Sequence, residues 1–376
     1  MRFVDVIGQE ELKQQLCQGV HENRVAHAQL FCGPEGCGKL ALALAFANYL
    51  LCSSPTGGDS CHVCPSCVKV RKLAHPDLHF VFPVIRKKSG SNREVVSDDF
   101  INEWRTLLMS SPYFNMDGWL DAMETENQQA IIYAAEADNI QRKLSLKSSE
   151  GGRKVVIIWL PERMNVQASN KLLKLLEEPP AETFFILVCE NPEQLLPTIL
   201  SRTQSVCFKR LQDEVLSRAL EELNGLQYQD AQRIARLSNG NYIKALRTIH
   251  IDKDTDMFLD KFISLMRLSY QRKIKEMMEW SEELSTWGRE RQRNFLEYCQ
   301  RLIRENFMYN FKQPDLNYLT PEEADFSSRF ARFVNERNVI GIMEELTTAQ
   351  RDIEQNVNPK MVFFDFSLKM IVLLIQ

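Results

Sequence analysis

One stretch constrains the fold of this chain more than any other. The apolar piece Ala28-Gln-Leu-Phe-Cys32 runs straight into Gly33-Pro-Glu-Gly-Cys-Gly-Lys39, and then into Leu40-Ala-Leu-Ala-Leu-Ala-Phe-Ala-Asn-Tyr-Leu-Leu51. A buried strand, a glycine-rich turn and a helix in immediate succession form the core of a phosphate loop. Gly33, Gly36 and Gly38 let backbone N–H groups converge on phosphate oxygens, and Lys39 reaches the terminal phosphates. The helix behind the loop aims its positive end at the same oxygens. A chance glycine–lysine turn is the alternative, and the flanking strand and helix count against it.

The loop lacks the parts that handle magnesium. A Ser or Thr is required directly after the lysine, because its hydroxyl ligates Mg²⁺. That position is Leu40, and an isobutyl group does not coordinate a hard cation. A nucleotidase also needs an acidic residue at the end of a later buried strand. The obvious strand, Lys154-Val-Val-Ile-Ile-Trp-Leu160, ends in Trp159 and Leu160, and Glu162 lies beyond Pro161. Trp159 is expected to fill the emptied pocket. The fold is therefore expected to persist with hydrolysis lost, while nucleotide binding without metal at Gly33, Gly36, Gly38 and Lys39 stays open.

The rest of the chain extends the α/β pattern. Apolar runs at 28–32, 78–83, 154–160, 183–189 and 205–208 alternate with helical stretches, which predicts a parallel sheet with helices on both faces. A first amphipathic helix is expected over 9–22, and Asn165 caps another that Pro179-Pro180 stops. Beyond residue 210 no strand pattern survives. The expected division is an α/β domain over 1–210, a small helical domain over 211–254 and a helical domain over 255–376. Residues 90–140, anchored by Trp104 and Trp119, read as an insertion. The basic segment from Arg86 to Arg93 reads as a loop, with phosphate contact as the alternative.

The ten cysteines are explained largely by position. Cys52-x8-Cys61-x2-Cys64-x2-Cys67 offers four thiolates in one short segment, the ligand set of a closed, structural tetrahedral Zn²⁺ site. A disulfide pair or free thiols are the alternatives, and His62 and His75 are nearby bystanders. Charge excludes a uniformly basic nucleic-acid binder: 46 Lys and Arg stand against 50 Asp and Glu, a net charge of −4. No apolar run approaches the roughly 20 residues of a membrane-spanning helix. The N-terminus carries no basic and apolar leader, so a cytosolic location is expected.

Five segments occur in a telling order: Asp5-Val-Ile-Gly-Gln9, His27 through Lys39, the four-cysteine segment, Asn170-Lys-Leu-Leu-Lys-Leu-Leu-Glu-Glu-Pro-Pro180, and Leu196-Pro-Thr-Ile-Leu-Ser-Arg202. Together they resemble the clamp-loader branch of the AAA+ superfamily, most closely the family of delta-prime subunits of bacterial DNA polymerase III. The likeness covers about residues 1–250.

It implies an AAA+ α/β domain with a zinc module at 52–67, a helical lid and a helical collar that joins subunits into a ring. Such a ring uses ATP to open the sliding clamp, beta, and place it on primed DNA. The expected partners are the tau or gamma motors and the delta subunit. The resemblance implies a stationary member that does not hydrolyse ATP and offers Arg202 as an arginine finger in trans. Thr203 stands where that family motif has cysteine, and Ile243 falls where motors carry a sensor arginine, with Lys244 beside it. The alternative is an ATP-hydrolysing motor subunit of the tau or gamma kind. The bland reading of Arg202 is an ion pair with a local carboxylate or a cap on the helix before it. Lys171, Lys174, Glu177 and Glu178 read as a solvated helix face of i,i+3 and i,i+4 pairs.

Overall fold

The computed structural model describes residues 1–85, 94–123, 129–148, 152–253, 255–311, 319–355 and 357–374. The basic segment from Arg86 to Arg93 lies outside them. The chain separates into two compact units, Met1–Leu246 and Arg247–Gln376.

The first unit is built on five strands: β1 (Ala28–Cys32), β2 (Leu78–Val81), β3 (Lys154–Trp159), β4 (Thr183–Cys189) and β5 (Gln204–Cys207). They form one sheet in the order β2-β3-β4-β1-β5, with every pairing parallel. Parallel strands are covered by helices on both faces, so they read as continuous apolar runs instead of alternating ones. That is why β1, β3 and β4 were legible. β5 lies at the edge, and Val206 is its one buried residue.

Eleven α-helices follow or interleave with the strands among the described residues: α1 (Glu10–His21), α2 (Lys39–Leu51), α3 (Pro65–Arg71), α4 (Ile101–Ser110), α5 (Met116–Ala122), α6 (Ala134–Ser145), α7 (Val166–Glu177), α8 (Pro197–Leu200), α9 (Asp213–Asn224), α10 (Tyr228–Ser238) and α11 (Tyr242–Lys253), the last of which runs past Leu246. Every residue of α2 is buried, as its unbroken Leu/Ala sequence requires. The opposite face of the sheet packs on α6, α7 and α8 through Ile140, Leu144, Leu172, Leu176 and Ile199. Asn165 starts α7 as expected: its Oδ1 accepts the Ala168 N–H at 2.7 Å, a cap worth about 1 kcal/mol.

Trp104 and Trp119 are fully buried. Trp104 stacks on Phe82 with ring centroids 4.2 Å apart, and Trp119 Nε1 donates to the Pro83 carbonyl at 2.7 Å. These anchors fasten 97–123 to the end of β2. Trp104 and Phe114 also both lie 5.2 Å from the Trp159 ring. The residues around 113 are thereby carried to the phosphate loop.

The second unit is helical: α12 (Thr255–Gln271), α13 (Ile274–Ser285), α14 (Arg289–Tyr309), α15 (Pro321–Phe330), α16 (Val339–Glu354) and α17 (Pro359–Leu373). Its core gathers Phe258, Trp280, Phe295, Ile342 and Phe363. Thr320 opens α15 with a capping box: its backbone N–H donates to Glu323 Oε2 at 3.0 Å while its hydroxyl accepts the Glu323 N–H at 3.3 Å. No helix among the described residues is long and apolar enough to cross a membrane.

Candidate functional site

The phosphate loop is formed but closed. Lys39 is only 5% exposed, and its Nζ turns back to donate to the carbonyls of Gly33 at 2.8 Å and Pro34 at 2.6 Å. Glu190 Oε1, just past the end of β4, lies 4.0 Å from the same Nζ. Burial pushes the Glu190 carboxyl above its usual range, and the Lys39 charge works against that shift. Glu162 is tied elsewhere: its Oε1 accepts the backbone N–H groups of Glu190 at 2.8 Å and Asn191 at 3.1 Å. It serves the turn after β4.

Two segments remote in sequence close the mouth. Tyr113 lies over Gly38, its hydroxyl accepting the Ile7 N–H at 3.0 Å and its ring packed edge-on against Tyr242 at 4.9 Å. Asn241 caps α11 by accepting the Lys244 N–H at 3.0 Å, and its Nδ2 donates to Glu35 Oε1 at 3.1 Å. The other Glu35 oxygen accepts from Asn115 Nδ2 at 3.2 Å, and the Tyr242 N–H donates to the Gly36 carbonyl at 3.2 Å. With Leu40, Trp159 and Ile243 filling the interior, the cleft retains about 20 Å³. That is room for about one water, where small-molecule sites span roughly 300–1,000 Å³. Sequence reasoning missed Tyr113, Asn241 and Glu190, because nothing local marks a side chain that closes a loop 75 or more positions away.

Gly36 shows how tight the closure is. Its φ is 72°, and a Cβ there would fall 1.9 Å from Asn241 Oδ1. Gly36→Ala is expected to cost about 2–4 kcal/mol through backbone strain and overpacking, read as a lower urea midpoint for the first unit. An unchanged midpoint would show that Asn241 is not seated on the loop.

Arg202 follows α8 and is engaged locally. Its Nη2 lies 2.6 Å from Glu177 Oε1, its Nη1 donates to the Thr198 carbonyl at 3.1 Å, and its side chain is 37% exposed. Both bland readings of this arginine are thus realised together: it pairs with the end of α7 and caps α8. The buried Thr203 hydroxyl donates to the Ile199 carbonyl at 3.0 Å. The expected pairing along α7 is corrected at two positions, since Lys171 pairs with Asp138 on α6 at 2.6 Å and Glu177 pairs with Arg202. Packing of α7 beside α6 and α8 supplies those partners.

Cys52, Cys61, Cys64 and Cys67 converge. Their four Sγ atoms lie within 4.8 Å of one another, and Cys61 and Cys67 are 3.9 Å apart. Four Zn–S bonds of about 2.3 Å in a tetrahedron place the sulfurs about 3.8 Å apart, whereas a disulfide needs about 2.05 Å. Backbone N–H groups of Cys61, Cys64 and Cys67 donate to the sulfurs of Cys52 at 3.3 Å, Cys61 at 3.3 Å and Cys64 at 3.4 Å. Such bonds stabilise thiolates, so the donor set fits a tetrahedral metal. His75 is committed elsewhere: its Nε2 bonds Ser66 Oγ at 2.7 Å and its Nδ1 accepts the Asp77 N–H at 3.1 Å. The segment is tied to the rest of the unit through Asp59, which accepts the Phe3 and Val4 N–H groups at 3.1 and 3.2 Å.

Comparison with known proteins bears on the same residues. The model of the family described as DNA polymerase III, delta subunit, matches residues 8–212, more than half of the chain. The chain belongs to this family. The matched span includes the phosphate loop, the four cysteines and Arg202, and with them the parallel sheet. The chain is 28% identical over 265 residues to DNA polymerase III subunit delta' of Bacillus subtilis, covering 70% of this chain and 66% of the relative. It is 32% identical over 183 residues to the delta' subunit of Pseudomonas aeruginosa, covering 48% and 43%. Subunit tau of B. subtilis is 29% identical over 215 residues, 57% of this chain and 30% of tau. The chain thus spans two thirds or less of the length of these relatives. The likeness to the delta-prime family drawn from the motifs is borne out.

Proposed function

We propose that this chain is a stationary, non-hydrolysing subunit of the replicative clamp loader, which helps place the sliding clamp beta on primed DNA. In this reading it joins tau or gamma motors and delta in a ring, through a helical lid over 211–254 and a collar over 255–376. It contributes a rigid AAA+ domain and presents Arg202 to the ATP site of a neighbouring motor. One observation carries the reading: Lys39 is turned onto the carbonyls of its own loop, in a cleft that Leu40, Trp159 and Tyr113 fill. A lysine spent on its own backbone does not reach a γ-phosphate, and no hydroxyl is present at position 40 to hold Mg²⁺. Zn²⁺ on Cys52, Cys61, Cys64 and Cys67 is structural in this proposal, since four sulfurs leave no coordination position for water.

The rival reading, a hydrolysing motor, is favoured by the likeness to tau. Turnover separates the two. The purified full chain is expected to show no Mg²⁺-dependent ATP hydrolysis above that of Lys39→Ala, and Leu40→Thr alone is expected to restore none, because Trp159 and Tyr113 still occupy the cleft. Brisk turnover that Lys39→Ala abolishes would overturn the proposal in favour of a motor.

A further inference from the structure

Two cysteines outside the metal cluster stand in a relation that neither the phosphate loop nor the four-cysteine segment uses. Cys32 ends β1 and Cys207 ends β5, and the two are direct partners in the parallel register. Register partners project to the same face of a sheet, and here their Sγ atoms lie 3.4 Å apart. Neighbouring strands are about 4.8 Å apart, inside the roughly 4.4–6.8 Å between Cα atoms that disulfides span. Closing the sulfurs from 3.4 Å to the roughly 2.05 Å of an S–S bond is a shift of about 1.4 Å, and ordinary strand spacing already suits the bond.

The two thiols differ in access. β5 is the edge strand and Cys207 is exposed, whereas Cys32 is 8% exposed. Burial, and next the Cys207 side chain, push the Cys32 thiol up to about 11. Cys189 is the partner of Cys32 on the other side, in β4, but it is fully buried. An accessible thiol backed by a sheltered one is the arrangement of an attacking and a resolving cysteine.

We infer that Cys207 and Cys32 form a reversible disulfide when the chain meets a hydroperoxide. The Cys207 thiolate attacks the peroxide oxygen, the O–O bond breaks, and the leaving alkoxide or hydroxide takes up a proton. Cys207 is then a sulfenic acid. The Cys32 sulfur attacks the Cys207 sulfur, the S–O bond breaks, and the departing hydroxide leaves as water with the Cys32 proton. In sum, two thiols and one hydroperoxide give one disulfide, one alcohol (water, for hydrogen peroxide) and one water. The two sulfurs lose two electrons, and the O–O bond accepts them. A small dithiol reverses the change by exchange.

The bond would bind the edge strand to the residue that opens the phosphate loop. Phe208, next after Cys207, donates its N–H to the Cys32 carbonyl at 2.7 Å, and its own carbonyl lies 2.7 Å from where a Gly33 Cβ would sit. Oxidation would therefore pin β1, the loop entrance and the chain leaving β5 together.

The test is peptide mapping of the zinc-loaded full chain after hydrogen peroxide, with free thiols blocked before a non-reducing digest. A single peptide pair joined through Cys32 and Cys207 is expected, lost on dithiothreitol treatment. It should be absent from Cys207→Ser, whose exposed position spares folding, and retained in Cys189→Ser. Three results would each overturn the inference. One is Cys207 driven to sulfinic acid while Cys32 stays free. Another is Cys32 joined to Cys189 or to a cysteine of the metal cluster. The third is both thiols unreacted at a peroxide dose that fully oxidises a cysteine-containing peptide in the same tube.

Discussion

Replacing Arg202 by alanine is expected to leave the assembly of a reconstituted loader intact while removing the DNA-stimulated ATPase of the one site it faces. A guanidinium beside a γ-phosphate stabilises the charge that spreads over the phosphoryl oxygens in the transition state. Its loss typically costs ~10³–10⁵ in rate, read here as the disappearance of that site's share of total turnover. Arg202→Lys should recover little, because a point charge does not reproduce the planar, two-pronged donor. The local geometry adds a control. In the isolated chain Arg202 is held by Glu177 and by the Thr198 carbonyl. Glu177→Gln removes the ion pair without removing the finger, so its turnover should match or exceed that of the unaltered chain. If Arg202→Ala turns over normally in a complete ring, the arginine only joins α7 to α8 and the trans role is lost.

The second large effect concerns the cysteine cluster. The purified chain is expected to carry one zinc ion, and Cys67→Ser to carry much less. Cys67 is fully buried at the start of α3, so its loss leaves three donors around a charged metal with no room for a substitute water. Structural zinc contributes on the order of 10 kcal/mol in isolated zinc-finger peptides. Here the segment is also braced by Asp59 on the Phe3 and Val4 amides and by Asn48, which donates to Ser60 Oγ at 2.8 Å. A smaller cost of about 3–5 kcal/mol is therefore expected, seen as an earlier thermal transition both for Cys67→Ser and for the chelated chain. Metal analysis that finds no zinc, together with melting that a chelator does not alter, would remove the site.

Much of this protein was readable from local pattern. The strand at 28–32 and the helix behind the loop were placed to within a residue, because a both-faces-buried strand and a Leu/Ala helix leave no other use for such apolar runs. Leu40 and Trp159 show by side-chain type alone that no hydroxyl follows Lys39 and no carboxylate ends β3. The cysteine spacing pointed to one site because ligands closed within sixteen positions need little help from the rest of the fold. The edge strand was less sharply placed, at 204–207 where 205–208 was expected, since an edge strand keeps only part of the apolar signal.

Other features had no local signature. The i,i+4 pairs expected along α7 gave way to Asp138 and Arg202, which arrive from other helices. Tyr113 and Asn241 reach the phosphate loop from segments far apart in the chain, one brought by the Trp104 and Trp119 anchors and the other by the turn into α11. Cys32 and Cys207 face each other only because the chain order 1-2-3-4-5 becomes the spatial order 2-3-4-1-5.

What the sequence alone determined is the inventory: a parallel α/β core, a phosphate loop without its metal-handling groups, a four-thiol segment and an arginine after a short helix. Each rests on residues a few positions apart, where spacing and side-chain chemistry are enough. Only the tertiary structure decided the state of that inventory, with the loop shut, its lysine turned inward, the arginine held by Glu177 and two distant thiols in register. Those outcomes depend on contacts between segments tens to hundreds of positions apart, which form when burial of the sheet's two faces sets which elements become neighbours.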